Sequence, residues 1–149
     1  MTDHTEQLDQ IKTHAAPAEH ARRANRDTLI AALAEYGVAA ATIQFDGCGD
    51  EGQIDSVVLT NDDDQPVGMP AITVSYVNDI SDSGTPVTAL QTLLQALENF
   101  AYDVLGDFHG GWQDNDGGFG TVTLDVAART ATLDYNSRYT ASHNTVTEL

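Results

Sequence analysis

Between Asp27 and Ala128 this chain contains no lysine and no arginine. Its six basic residues, Lys12, Arg22, Arg23, Arg26, Arg129 and Arg138, all stand outside that stretch. Aspartate and glutamate total 23, so the formal charge is −17 at pH 7. A field of this sign repels nucleic acid, whose binding depends on cationic neutralisation of phosphates. It also repels anionic membrane surfaces. It attracts cations and basic protein surfaces. Adaptation to a high-salt cytoplasm fits the same balance, because salt near 1 M screens self-repulsion within about 3 Å. The single lysine and the abundant Asp, Thr and Ala match that composition. Ordinary solubility rarely calls for so large a charge.

At 149 residues and 41% apolar content, the chain holds material for one domain around one core. It has no apolar run of about 18 residues, so no membrane-spanning helix is expected. The first residues, Met1 to Lys12, are polar and lack an apolar signal region, so no secretory signal is expected. The single cysteine, Cys48, has no partner for an internal disulfide. A reducing, cytoplasmic location is the expectation.

Residues 1–16 read as a flexible polar segment, and Pro17 fits the first turn of a helix. Leu29, Ile30, Leu33 and Tyr36 recur at helical steps, so a helix is predicted over 18–36, with Gly37 as its cap. Arg22, Arg23 and Arg26 on its early part read as offsets for nearby acids. Alternation of Ala41, Ile43 and Phe45 predicts a strand, and Val57 and Val58 mark a second. Between them Asp46 to Gln53 reads as an elaborated hairpin tip. A polar turn follows at 61–66, and Ile72, Val74 and Tyr76 predict a third strand over 71–77. Thr85-Pro86 reads as an N-cap and first helical position, opening a core helix over 86–107 that carries Leu90, Leu93, Leu94, Leu97, Ala101, Val104 and Leu105. A glycine-rich loop at 109–118 leads to a hairpin over 119–126 and 130–135. The expected fold is α+β, an antiparallel sheet of about five strands with two main helices on one face, in the order α-β-β-β-α-β-β. A single domain over 17–140 is expected, followed by a tail at 141–149 without a clear period.

Three polar clusters carry candidate chemistry. Asp46, Asp50, Glu51 and Asp55 surround a glycine-rich turn and offer oxygen ligands for calcium or magnesium, though their spacing is not that of an EF-hand. The structural alternative is an Asx-type turn bonded to its own backbone. Asp114 and Asp116 begin like a calcium loop, but Gly118 and Phe119 occupy the fifth and sixth positions and break the match. Trp112 beside them reads as a buried anchor. His109 with Asp114 or Asp116 would make an acid–base pair; the structural alternative is a helix-terminal histidine near the negative end of the dipole. Zinc spacing is absent, and the acidic surroundings of Cys48 would raise its thiol pKa.

The segments Phe45-Asp46-Gly47-Cys48-Gly49-Asp50-Glu51-Gly52-Gln53-Ile54, Gly111-Trp112-Gln113-Asp114-Asn115-Asp116-Gly117-Gly118-Phe119-Gly120 and Asp134-Tyr135-Asn136-Ser137-Arg138 occur in that order. Together they resemble a small prokaryotic and phage family known only as a domain of unknown function, with F-D-G-x-G-D-x-G-x-I, G-W-x-x-N-D-G-x-x-G and D-x-N-x-R segments. Cys48 departs from that pattern, where a small polar residue is expected. The resemblance implies no activity. It implies that Asp46, Asp50, Asp114, Asp116, Asp134, Asn136 and Arg138 meet at one edge of the sheet. The leading functional expectation is a non-enzymatic acidic module that engages a basic protein surface. Its concrete form is a virus- or plasmid-borne accessory or antagonist that imitates nucleic acid before a nucleic-acid-binding protein. It would bind neither nucleic acid nor membrane directly and need no cofactor. The alternatives are a divalent-cation-binding domain using calcium or magnesium, and a small hydrolase using His109 with a carboxylate.

Overall fold

The structure, a computed structural model, describes residues 2–48, 51–109, 117–137 and 143–149. Helix α1 runs Thr2–Glu35. It therefore includes residues 2–16, expected as a flexible segment, and takes Pro17 into its interior. A proline inside a helix costs roughly 3 kcal/mol. Good helix formers flank it on both sides, among them Glu6, Gln7, Ala15, Ala16, Ala18 and Glu19. Leu29, Ile30, Ala32 and Leu33 are buried near the helix end. There Gly37, at φ 73°, turns the chain, and the Val38 N–H returns to the Leu33 carbonyl at 3.0 Å.

Strands β1 (Ala40–Cys48) and β2 (Glu51–Thr60) pair antiparallel. The ladder continues through Asp46 opposite Gln53, Gly47 opposite Gly52 and Cys48 opposite Glu51. The expected elaborated tip is thus mostly strand, and its facing glycines are paired in the ladder. The irregularity lies elsewhere. Gln44 faces Ser56 and Phe45 faces Ile54, which leaves Asp55 as the extra residue of a bulge. A short β3 (Pro66–Val67) extends the edge beside β2.

Strands β4 (Thr73–Ile80) and β5 (Pro86–Thr92) form a separate two-stranded ribbon. Helix α2 starts at Leu93 and ends at Phe108. The helix expected from Pro86 is therefore a strand for its first seven residues. Its N-cap is Thr92, whose side chain accepts from the Gln95 N–H while the Gln95 side chain accepts from the Thr92 N–H. Then β6 (Gly118–Asp125), β7 (Thr130–Ser137) and β8 (His143–Glu148) complete a six-stranded sheet in the order β3-β2-β1-β6-β7-β8, each described pair antiparallel. Residues 143–148, expected within a tail, pair along β7 instead. The α+β class with two helices and antiparallel pairing holds; the order is α-β-β-β-β-β-α-β-β-β.

One cluster joins Leu29 and Leu33 of α1, Leu97, Phe100 and Val104 of α2, and Ile43, Val122 and Leu133 of the sheet. The helices thus cover one sheet face. Asn25 of α1 is the buried polar side chain among the described residues. Its Nδ2 donates to the Val77 carbonyl at 3.0 Å, and its Oδ1 accepts from the Val77 N–H at 2.7 Å. One amide thereby ties the ribbon to α1 by satisfying the inner edge of β4. Asn25→Ala would strand both backbone groups, which costs about 2–4 kcal/mol and lowers the melting temperature by roughly 5–15 °C. Thermal unfolding of the variant checks this, and an unchanged transition contradicts the role.

Candidate binding face

On β1 the buried side chains are Ala41, Ile43 and Phe45. Strand alternation therefore turns Thr42, Gln44 and Asp46 to the other face. Leu133 and Tyr135 are buried on β7, so Asp134 and Asn136 also face outward. The register aligns these positions in rows. Asp46 faces Phe119, which faces Asn136, which faces Asn144. In the next row Gln44 faces Thr121, which faces Asp134. The bulge brings Asp55 beside them. Together Gln44, Asp46, Asp55, Thr121, Asp134 and Asn136 line a shallow concavity of about 270 Å³.

The β7–β8 side of this concavity is pinned by amides. Asn144 Nδ2 donates to Asp134 Oδ1 at 2.8 Å and to Asn136 Oδ1 at 2.7 Å. Asn136 Nδ2 donates to the Phe119 carbonyl at 3.2 Å. On the β2 side Gln53 Nε2 donates to Asp55 Oδ1 at 3.2 Å. Carboxylates held by packed strands and amide donors lose little freedom on binding.

Of the residues expected to converge, Asp46, Asp134 and Asn136 do so, joined by Asp55. Glu51 pairs with Cys48 in the ladder. Asp50, Trp112, Asp114, Asp116 and Arg138 lie outside the described residues. His109 stands apart, on the core side of the sheet. Its ring stacks on Tyr135 at 3.7 Å between centroids and 4° between planes. Phe45 extends the stack, 6.1 Å from the same tyrosine. Two glycines of β6 make room for it. A Cβ on Gly118 would enter the Tyr135 ring and hydroxyl. A Cβ on Gly120, at φ 153°, would meet the Asp134 carbonyl oxygen. Both glycines thus leave space on the core side, Gly118 for the Tyr135 ring and Gly120 for the Phe45 ring and the close approach of the β7 backbone.

As the C-cap of α2, His109 donates its backbone N–H to the Leu105 carbonyl at 2.8 Å. Burial lowers its imidazole pKa below the ordinary 6.5. Among the described residues its side chain has no carboxylate partner. Asn144 was missed by sequence reasoning, because β8 carries no apolar alternation to mark it as a strand.

Other acids lie on the helical side. The Tyr76 hydroxyl donates to the Asp103 carboxylate. Burial pushes both groups upward, with the hydrogen bond from Tyr76 holding Asp103 partly down. The arginines of α1 stand in ion pairs: Arg22 with Asp107 at 3.5 Å, Arg23 with Glu19 at 2.7 Å, Arg26 with Asp27 at 3.1 Å. Arg22 also lies 4.8 Å over the Phe108 ring. Among the described residues no three His, Cys, Asp or Glu side chains are grouped to hold a metal ion, and no helix is long and apolar enough to cross a membrane.

A family model described as a family of unknown function (DUF6878) matches residues 21–149. No curated protein and no solved structure matches the chain.

The lowered His109 pKa carries a sign. The unfolded chain takes up the proton more readily, so the neutral imidazole supports the fold above pH 6.5, its ordinary value, and that support fades as pH falls below it. Denaturant midpoints of wild type and His109→Gln, measured from pH 8 to pH 5, are expected to diverge, the wild type losing more. Parallel curves contradict the stacked neutral ring.

Proposed function

We propose that this chain, which belongs to that family of unknown function, is a non-enzymatic acidic interaction module that presents the outer face of its six-stranded sheet to a basic protein surface. The observation that carries this reading is the concavity where Asp46, Asp55 and Asp134 stand together on the sheet face opposite the helices. Its floor is strand, and Asn144 and Asn136 hold the Asp134 side. Such a surface suits guanidinium and ammonium groups, which pair with fixed carboxylates through charge-assisted hydrogen bonds. The overall charge of −17 adds long-range attraction and speeds encounter with a basic partner.

The wider layout of acids supports recognition of discrete basic side chains over imitation of a long phosphate ladder. Asp62, Asp63 and Asp64 occupy the turn after β2, while Asp79, Asp103 and Asp107 line the helical side. A duplex mimic needs one unbroken row near the phosphate spacing. The dispersed acids match a high-salt solvent; the pinned ones on the sheet match a partner. Within this reading, the chain acts in the cytoplasm as an accessory or antagonist protein carried by a virus or plasmid. A calcium or magnesium site would draw on both glycine-rich loops, Asp46, Asp50, Glu51 and Asp55 with Asp114 and Asp116, of which Asp50, Asp114 and Asp116 lie outside the described residues. The hydrolase reading has the least support, since His109 is stacked on the face opposite Asp46 and Asp134.

Affinity capture from native host extract tests the proposal. Wild type is expected to retain basic proteins, and the triple variant Asp46→Asn/Asp55→Asn/Asp134→Asn to retain at least tenfold less at equal folded content. Equal capture by both proteins contradicts the assignment of the face. Repeating the capture with calcium or with a chelator shows whether the partner depends on a divalent ion.

A further inference from the structure

Strand β5 is an unguarded edge. It pairs with β4 on one side, and no described strand takes the other. All its residues except Gln91 are exposed, and Leu90 is 76% exposed. Protein edges are usually protected by lysines, inward charges or bulges on the edge strand. The sequence Pro86-Val87-Thr88-Ala89-Leu90-Gln91-Thr92 contains no charged residue. The ribbon's irregularity lies on β4, between Val77 and Asp79, rather than on β5. Pro86 guards only the first position.

The direction of the backbone groups follows from Asn25. Both the N–H and the C=O of Val77 are bonded to that side chain, so they point away from β5. Thr88, opposite Val77, must then point its own N–H and C=O away from β4. The alternation repeats every second residue, which assigns the same direction to Leu90, opposite Ser75, and Thr92, opposite Thr73. The Thr92 N–H confirms it by turning out to Gln95 Oε1 at 3.2 Å. Thr88 and Leu90 thus offer two donors and two acceptors along the open edge.

We propose that a second copy of this chain docks here, β5 against β5, antiparallel about a twofold axis through Ala89. In that register Thr88 of one copy faces Leu90 of the other, and each such pair exchanges both its hydrogen bonds. The result is one continuous β4-β5-β5-β4 sheet. Leu90 and Thr88 of both copies share one face of it, so each exposed leucine gains an apolar diagonal neighbour. Charge selects this occupant. Two chains at −17 repel at long range, and the uncharged β5 sets no carboxylate against another on the paired strands. A basic partner would find no carboxylate on this strand, unlike on the outer sheet face. The interface is self-complementary, as a twofold contact requires. It is small, so the dimer forms in the micromolar range or above and strengthens when salt screens the repulsion. This pairing is separate from the acidic face and stands whether or not that face binds a basic partner.

Sedimentation equilibrium of the full chain at 10–500 µM (a range of roughly micromolar affinities), in low and in molar salt, reads the mass directly. Wild type is expected to rise from the 15.9 kDa monomer toward twice that mass, more readily in high salt. Thr88→Pro removes an outward N–H and leaves the β4 ladder intact. Leu90→Glu adds like charge beside the axis. Each is expected to weaken the dimer at least tenfold while circular dichroism stays native. Should Thr88→Pro fail to fold, Leu90→Glu alone decides. Val146→Glu, on the edge strand of the larger sheet, is expected to leave the dimer unchanged. A wild type that stays monomeric throughout overturns the proposal. So does a dimer indifferent to Leu90→Glu, or one abolished by Val146→Glu.

Discussion

An ionised carboxylate can leave water only if a counter-charge or strong donors go with it. This chain withholds lysine and arginine from its entire central stretch, and the fold obeys the consequence. Among the described residues the buried side chains are apolar apart from Asn25, whose amide is bonded to backbone. Carboxylates go to the surface or, like Asp103, lean on a hydroxyl. The helices cover one face of the sheet. Strand alternation sends Asp46 and Asp134 to the other face.

That division gives β1 its importance. It lies between β2 and β6, and each alternate residue answers to a different side. Ile43 and Phe45 close the core; Gln44 and Asp46 shape the concavity. The same economy holds in β6 and β7. Gly120 admits the Asp134 carbonyl from the neighbouring strand, and Gly118 admits the Tyr135 ring. Tyr135 then stacks with His109 at the end of α2. The end of the core helix, the aromatic column and the acidic row are therefore built on a shared set of strand ends.

Strands with one buried face were legible. Ala41, Ile43 and Phe45 alternate cleanly, as do Val122 with Leu124 and Ala131 with Leu133, because each set meets the helices. β5 was not legible. Being exposed on nearly every side, it shows no alternation, and Leu90 falls at helical spacing from Leu93, Leu94 and Leu97. The pair Thr85-Pro86 then imitated a helix start. The true signal, Thr92 with Gln95, fits a capping box and lay seven residues on. β8 was hidden because its inward positions include Thr145 and Thr147, while the apolar Val146 faces water. Asn144 was lost with it. The meeting of Asp46 with Asp134 and Asn136 was legible, since ordered motifs placed them at strand ends. The stack of His109 on Tyr135 had no mark in the sequence, and its expected partners Asp114 and Asp116 lie outside the described residues.

In the proposed function the recognising surface is made of pinned carboxylates on the outer sheet face rather than of diffuse negative charge. Amide chemical-shift mapping of the ¹⁵N-labelled chain with an arginine-rich peptide separates the two directly. Shifts are expected to concentrate at Gln44, Asp46, Thr121, Asp134, Asn136 and Asn144, with side-chain amide signals of Asn136 and Asn144 moving as Asp134 is engaged. Shifts of equal size at Asp62–Asp64, Asp79 and Asp107 would contradict it, and would assign the charge of this chain to its solvent alone.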